Sequence, residues 1–184
     1  AFSAIKNNDK VGLLAFTDRV ELFIAPKKGR THVLRLIRDI LFFEPEGKRT
    51  DISFALEHLN MVIKKKAIAF LVSDFRAEGY DKALKATAKK HDLIVIRIVD
   101  PRESKLPDVG YITLRDAETG ETITVNSSND TLRKEYEAAV AAETAERDRL
   151  FASAGADQVV IQTDRSYIEP LIRFFKIRER RVRF

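Results

Sequence analysis

Three apolar runs constrain this chain more than any other feature. They are Val11-Gly12-Leu13-Leu14-Ala15-Phe16, Ala67-Ile68-Ala69-Phe70-Leu71-Val72 and Leu93-Ile94-Val95-Ile96-Arg97-Ile98-Val99. Each is too short for an ordinary helix, and each reads as a strand covered on both faces, the habit of parallel sheets. Amphipathic segments lie between them. Thr31 is expected to cap a helix with Val33, Leu34, Ile37, Ile40 and Leu41 on one face. Thr50 or Asp51 opens a second, with Ile52, Ala55, Leu56, Leu59, Val62 and Ile63 inward and Lys64-Lys65-Lys66 at its end. Tyr80 to His91 forms a third, with Leu84, Thr87 and Ala88 inward. This alternation predicts βαβ units, a mostly parallel sheet and helices on both faces.

The remaining segments fit around that frame. Val20 to Ala25 follows a turn at Thr17-Asp18-Arg19 and is expected to pair antiparallel with the first run, as an edge strand. Residues 107–128 break the rhythm. Tyr111 to Leu114 and Thr122 to Val125 alternate apolar and polar around Asp116-Ala117-Glu118-Thr119-Gly120, as an inserted β-hairpin would. Asp130 is expected to cap a long charged helix ending at Gly155, with Leu132, Tyr136, Ala139, Val140, Leu150 and Phe151 inward. A strand at Gln158 to Ile161 and a final helix, with Ile168, Leu171, Ile172 and Phe175 inward, complete an α/β fold. No linker divides the chain, so a single domain over residues 1–184 is expected.

Composition removes several function classes. There are no cysteines among the 184 residues, which excludes disulfides and thiolate chemistry. No apolar stretch nears the roughly 20 residues that span a bilayer. The net charge is +5, with cations gathered at the end in Arg178, Arg180, Arg181 and Arg183. Such a tail either binds nucleic acid or anionic lipid, or is a solvated helix end whose cations favour the helix dipole. No stacking platform accompanies it, so the second reading is preferred and nucleic acid is not the expected partner.

Enzyme motifs also fail on residues. Gly47-Lys48-Arg49-Thr50 lacks the preceding glycine of a phosphate-binding loop and has Arg where Ser or Thr must follow the Lys. No dinucleotide-binding glycine turn and no nucleophile elbow occur. His32, His58 and His91 share no metal-ligand spacing and read as helix-surface or boundary residues. Asp100, beside Pro101, reads as a turn former.

Thr50 and Asp74 remain. Asp74 ends a strand, and ligands in open α/β sheets bind at the carboxyl ends of strands. A hydroxyl and a carboxylate are donors for a hard cation. Thr50 and Asp51 are also ordinary helix caps, and on spacing alone that is the stronger reading.

The order of elements resembles the von Willebrand factor type A fold. More closely, the chain resembles the bacterial family called domain of unknown function 58. The matching stretches include Phe2 to Leu13, Gly29 to Arg35, Thr50-Asp51-Ile52-Ser53-x-Ala55-Leu56 and Phe70-Leu71-Val72-Ser73-Asp74-Phe75. Asp100 to Glu103, Leu106 to Gly110, Asp116 to Gly120 and Glu169 to Phe175 complete the set. The resemblance implies a metal-ion-dependent adhesion site holding Mg²⁺ or Mn²⁺, with Thr50 and Asp74 as two of its ligands. It also implies that Asp51 supports the ion from outside its ligands and that Ser73 supports the loop.

The Asp-x-Ser-x-Ser loop of that site has no counterpart in the sequence. It is expected ahead of Ala1 with the first strand, the chain being a C-terminal fragment. The strands at 11–16 and 67–72 would flank that strand. Their edges are expected to close by direct pairing, by strand exchange or dimerisation with a second copy, or on another peptide. Metal binding by the fragment itself is expected to be weak or absent.

The implied function is a non-enzymatic, metal-dependent protein-interaction module, an adaptor or assembly factor working with a MoxR-type AAA+ ATPase. The implied location is cytoplasmic, with membrane attachment in longer relatives that carry transmembrane helices upstream. Two alternatives stand beside it. One is a metal-assisted phosphoryl-transfer enzyme using Asp74. The other is a basic nucleic-acid or membrane-surface binder using the C-terminal tail.

Overall fold

The computed structural model describes residues 5, 7–115 and 120–182, with side chains through residue 180. Most of the hairpin tip, residues 116–119, and Arg183 lie outside the described residues, as does the Arg181 side chain. The fold is mixed α/β, and its contacts gather into two compact units. One comprises Ala1–Lys64 with Gly79–Leu84, and the other Lys65–Glu78 with Lys85–Phe184.

In the first unit, β1 (Val11–Phe16) and β2 (Val20–Lys27) form a two-stranded antiparallel sheet around the turn at 17–19. The register shifts twice, between Val11 and Leu13 and between Ala15 and Phe16. β1 is half-buried rather than covered on both faces, because it belongs to a hairpin and not to the parallel sheet.

Helices α1 (Arg30–Leu41) and α2 (Ile52–Val62) both contact β1. Thr31 does not cap α1. The N-cap is Gly29, without a side-chain hydrogen bond, and Thr31 lies inside the first turn. The buried face of α1 is Val33 and Leu36, one turn apart, while Leu34, Ile40 and Leu41 are exposed. In α2 the expected face holds: Ile52, Ala55 and Leu56 are buried, and Leu59, Val62 and Ile63 are half-buried.

The second unit is organised by β4 (Asp92–Val99), which pairs in parallel with β3 (Ile68–Ser73) on one side and β7 (Asp157–Gln162) on the other. Leu93, Ile94 and Val95 of β4 are almost wholly buried, as the apolar run predicts for a central strand. β3 differs from the expectation. It is an edge strand, and Ile68, Phe70 and Val72, alternate residues on one face, are each about half exposed. Among the described residues β3 pairs with β4, and β1 with β2.

Helix α3 (Asp81–Lys90) joins β3 to β4, and the boundary between the units runs through it. Ala83, Leu84 and Thr87 are its buried residues. Asp100 accepts a hydrogen bond from the Arg102 amide at 2.9 Å and opens a short 3₁₀ turn, Pro101–Glu103, as its sequence context predicts. β5 (Tyr111–Arg115) and β6 (Thr122–Asn126) form the expected hairpin. Ser127, fully buried, ties its ends by donating Oγ to the Gly110 carbonyl at 2.7 Å.

Helix α4 (Asp130–Ala154) is capped by Asn129 and not by Asp130. The Asn129 side chain accepts from the amides of Thr131 and Leu132, and Asp130 stands in the first turn, where its charge suits the dipole. Gly155 closes the helix in the left-handed conformation that a side chain would oppose. Phe151 is buried, but Ala139 faces solvent.

The last helix, α5 (Ile168–Val182), contacts β7. Its expected inner face is only partly used: Leu171 is half-buried, whereas Ile168, Ile172 and Phe175 are about half exposed. Arg178 fastens it to the sheet. Its guanidinium donates to the Asp92 carboxylate and, at 2.5 Å, to Asp157 Oδ2, and it lies 5.6 Å from the centre of the Phe174 ring. Asp92 and Asp157 are the first residues of β4 and β7, so one cation neutralises both strand starts. Arg178 is therefore engaged within the fold, while Arg180 is exposed.

His91 is not a surface residue. It is 2% exposed at the end of α3, and its Nδ1 accepts from the Ala67 amide at 3.3 Å. Its Nε2 has no hydrogen-bond partner among the described residues. Burial, then the charge of Lys90, pushes its pKa down from 6.5.

Two predictions follow from these contacts. Arg178→Ala removes the cation that the half-buried Asp92 and Asp157 carboxylates share, and should cost about 2 kcal/mol in urea unfolding, between an exposed and a buried pair. The His91 ring takes up a proton less readily in the folded state than in the unfolded one. Its contribution to stability is thus complete above the unfolded value of 6.5 and is lost as pH falls below it, until the lower folded pKa is passed. The urea midpoint should drop between about pH 7.5 and pH 5.5, a window above the carboxylate range, and His91→Gln should flatten that drop.

Candidate functional site

In the first unit, the loop leading to Thr50 is held by a carboxylate that the sequence reading passed over. Glu21 lies in β2 with its side chain 7% exposed. Its Oε1 accepts from Thr17 Oγ1 at 2.8 Å, from the Gly47 amide at 2.9 Å and from Arg19 Nε at 3.2 Å. These hydrogen bonds, the Thr17 hydroxyl first and the Gly47 amide next, hold its pKa below the usual carboxylate value. Arg19 reaches on to Glu46 in the same loop. The Asp51 amide donates to the Thr17 carbonyl at 2.9 Å, which ties the far end of the loop to the β1–β2 turn. The available signal was a lone acid inside the apolar strand Val20-Glu21-Leu22-Phe23-Ile24.

Thr50 ends this loop and is half-buried; among the described residues its hydroxyl has no hydrogen-bond partner. Asp51 is the N-cap of α2, its Oδ1 accepting from the Phe54 amide at 2.8 Å. The carboxylate thus does local work, while the hydroxyl before it is uncommitted.

In the second unit, Asp74 follows the carboxyl end of β3 on a tight turn. Ser73 Oγ accepts from the Phe75 amide at 3.0 Å and donates to Asp74 Oδ1 at 3.3 Å. The Arg76 amide reaches Asp74 Oδ1 at 3.4 Å. Phe75 adopts φ 60°, a left-handed conformation that costs about 1–2 kcal/mol outside glycine. It persists because its ring, 1% exposed, packs edge-on against Phe151 at 5.0 Å, and because Arg147 donates to its carbonyl. The Arg76 guanidinium turns to Glu103 at 2.7 Å. Asp74 is exposed, and no Lys or Arg pairs with it among the described residues.

Thr50 and Asp74 belong to different units and are each defined within their own. Among the described residues, no group of three or more His, Asp or Glu could hold a metal ion. Two oxygen donors fall short of the six or so that Mg²⁺ takes, so the described donor set does not by itself fit the ion that the resemblance implies. Of the basic residues at the C-terminus, Arg178 is committed to Asp92 and Asp157, and Arg180 is free to meet solvent.

Gly47 offers a direct test of the loop anchor. A Cβ there would lie 2.7 Å from Asp18 Oδ1 and would overlap the Thr17 side chain. Gly47→Ala should cost about 1–3 kcal/mol in thermal or urea unfolding, the usual penalty for forcing an atom into a filled site.

The chain spans most of an uncharacterized protein of Mycobacterium avium, with 33% identity over 162 residues, 85% of this chain and 94% of that protein. It is 30% identical over 175 residues to uncharacterized proteins of Mycobacterium bovis and Mycobacterium tuberculosis. That match takes in 94% of this chain but only 55% of those two proteins, so the chain spans about half their length. No solved structure matches it. Among the described residues, no helix is long and apolar enough to cross a membrane. The family described as "Protein of unknown function DUF58" matches residues 1–146, and the chain belongs to that family.

Proposed function

We propose that the chain is a non-enzymatic protein-interaction module of von Willebrand factor A type that works with a MoxR-type AAA+ ATPase as adaptor or assembly factor. One observation carries the reading. Asp74 is an exposed carboxylate, unpaired by any cation among the described residues, fixed at the carboxyl end of a parallel strand by a strained, buried Phe75. Parallel sheets bind ligands at that end, and rare backbone conformations held by packing gather at binding sites. The uncommitted hydroxyl of Thr50 supports the same reading from the other unit.

In this proposal, Asp74 and Thr50 serve a divalent cation whose remaining ligands come from an Asp-x-Ser-x-Ser loop and from the partner's carboxylate. Asp51 and Ser73 keep the loops in shape through the hydrogen bonds already described. Phosphoryl transfer through Asp74 is the alternative reading.

The test has two arms. Calorimetric titration of Mg²⁺ into the chain should show weak binding at best, and sub-micromolar binding abolished by Asp74→Ala would overturn the incomplete site. Capture of a MoxR-type ATPase at saturating Mg²⁺ should weaken about tenfold or more with EDTA or with Asp74→Ala. Capture indifferent to both, or steady-state phosphatase activity lost with Asp74, would overturn the interaction-module reading.

A further inference from the structure

The face of the second unit made by β7 and α5 serves none of the residues above except Arg178. β7 is an edge strand: β4 pairs with one side, and among the described residues no strand pairs with the other. Proteins normally blunt such edges with proline, lysine or a bulge. β7 reads Asp-Gln-Val-Val-Ile-Gln, with no proline or lysine, and its register with β4 is unbroken.

Alongside lies an open groove of about 700 Å³ between β7 and α5. Val160 lies on the strand side, 36% exposed, and Phe174 and Ile177 lie on the helix side. Arg165 and Arg173 are its cations, and both are exposed. Arg173 has no ion-pair partner among the described residues, and Arg165 has only its chain neighbour Asp164, at 4.0 Å. A smaller concavity of about 390 Å³ on α5 adds Lys176 and Arg180. Together the two hollows set four cations, Arg165, Arg173, Lys176 and Arg180, against one carboxylate, Glu169.

We propose that this groove binds an extended acidic segment of a partner protein, added as a further strand on β7. The free edge supplies backbone donors and acceptors at strand spacing. Alternate side chains of the incoming strand fall against Val160, Phe174 and Ile177, and its carboxylates meet Arg165 and Arg173. The cation excess selects acidic sequences and steers their approach. A free strand edge favours a peptide over nucleic acid, which needs exposed rings to stack on. The site lies beyond residues 1–146, the part matched by the family, and does not involve Asp74.

The probe is the peptide fluoresceinyl-Asp-Val-Glu-Val-Asp-Val-Glu-amide, followed by fluorescence anisotropy. Binding should be saturable, should fall about tenfold or more in the Arg165→Glu/Arg173→Glu double variant, and should weaken as salt is raised. Both arginines are exposed, and an unchanged urea midpoint checks that the variant folds. Methylating alternate backbone amides of the peptide tests strand addition without altering the protein, and should abolish binding. Four results would overturn the proposal: no saturable binding, equal binding of the lysine counterpart, equal binding of the methylated peptide, or competition by phosphatidylglycerol vesicles that assigns the cations to a membrane. Sedimentation velocity showing self-association through β7, lost in the double variant, would replace the peptide by a second copy.

Discussion

The second unit depends on the pairing of β4 with a parallel strand on each side. Parallel strands cannot be joined by a tight turn, so each pairing obliges the chain to leave the sheet and return. Between β3 and β4 it returns through α3. Between β4 and β7 it makes a much longer excursion through the 3₁₀ turn, the β5–β6 hairpin and α4. The near-complete burial of Leu93, Ile94 and Val95 contributes to offsetting the entropy of those excursions. The side contacts follow from the same constraint. Phe151, near the end of α4, meets Phe75 just after β3, and Arg178 in α5 meets the first residues of β4 and β7.

The sequence told most where burial was decided by a continuous run. β4 was legible because seven residues from Leu93 to Val99 leave no polar face apart from Arg97. Ala67 to Val72 looked the same but became an edge strand, with Ile68, Phe70 and Val72 half exposed. A run of apolar residues states what a strand tolerates, and the neighbours decide what it receives. α1 and α5 repeat the lesson. Each carries more apolar residues than its contacts cover, so periodicity named a face wider than the one used, and in α1 it missed Leu36.

Helix starts were harder to read because adjacent polar residues compete for one position. Asn129 and Asp130 both suit a cap, and so do Thr50 and Asp51. The winner is set by where the backbone turns helical, which tertiary packing decides. Two features of the candidate site left little or no local trace. The positive φ of Phe75 belongs to a residue type that rarely adopts it, and distant partners, the Phe151 ring and the Arg147 guanidinium, make it tenable. Glu21 was visible as an acid in an apolar strand, but its partners, Thr17 and the Gly47 amide, come together only when the hairpin and the loop fold over one another.

The two ends of the parallel sheet treat their acids differently, and that contrast gives Asp74 its meaning. At the amino end, the Arg178 guanidinium pairs with both Asp92 and Asp157, which would otherwise repel one another. At the carboxyl end, Asp100 is spent on the Arg102 amide. Asp74 holds only long hydrogen bonds, at 3.3 and 3.4 Å, on one of its two oxygens. A carboxylate needed for the fold would be drawn into such pairings, since each adds stability at little cost. The guanidinium of the neighbouring Arg76 pairs with Glu103. The fold thus places strain at Phe75 and a hydroxyl at Ser73 in the turn that holds an exposed Asp74 carboxylate with one oxygen uncommitted, and the proposed ligand role of Asp74 rests on that arrangement.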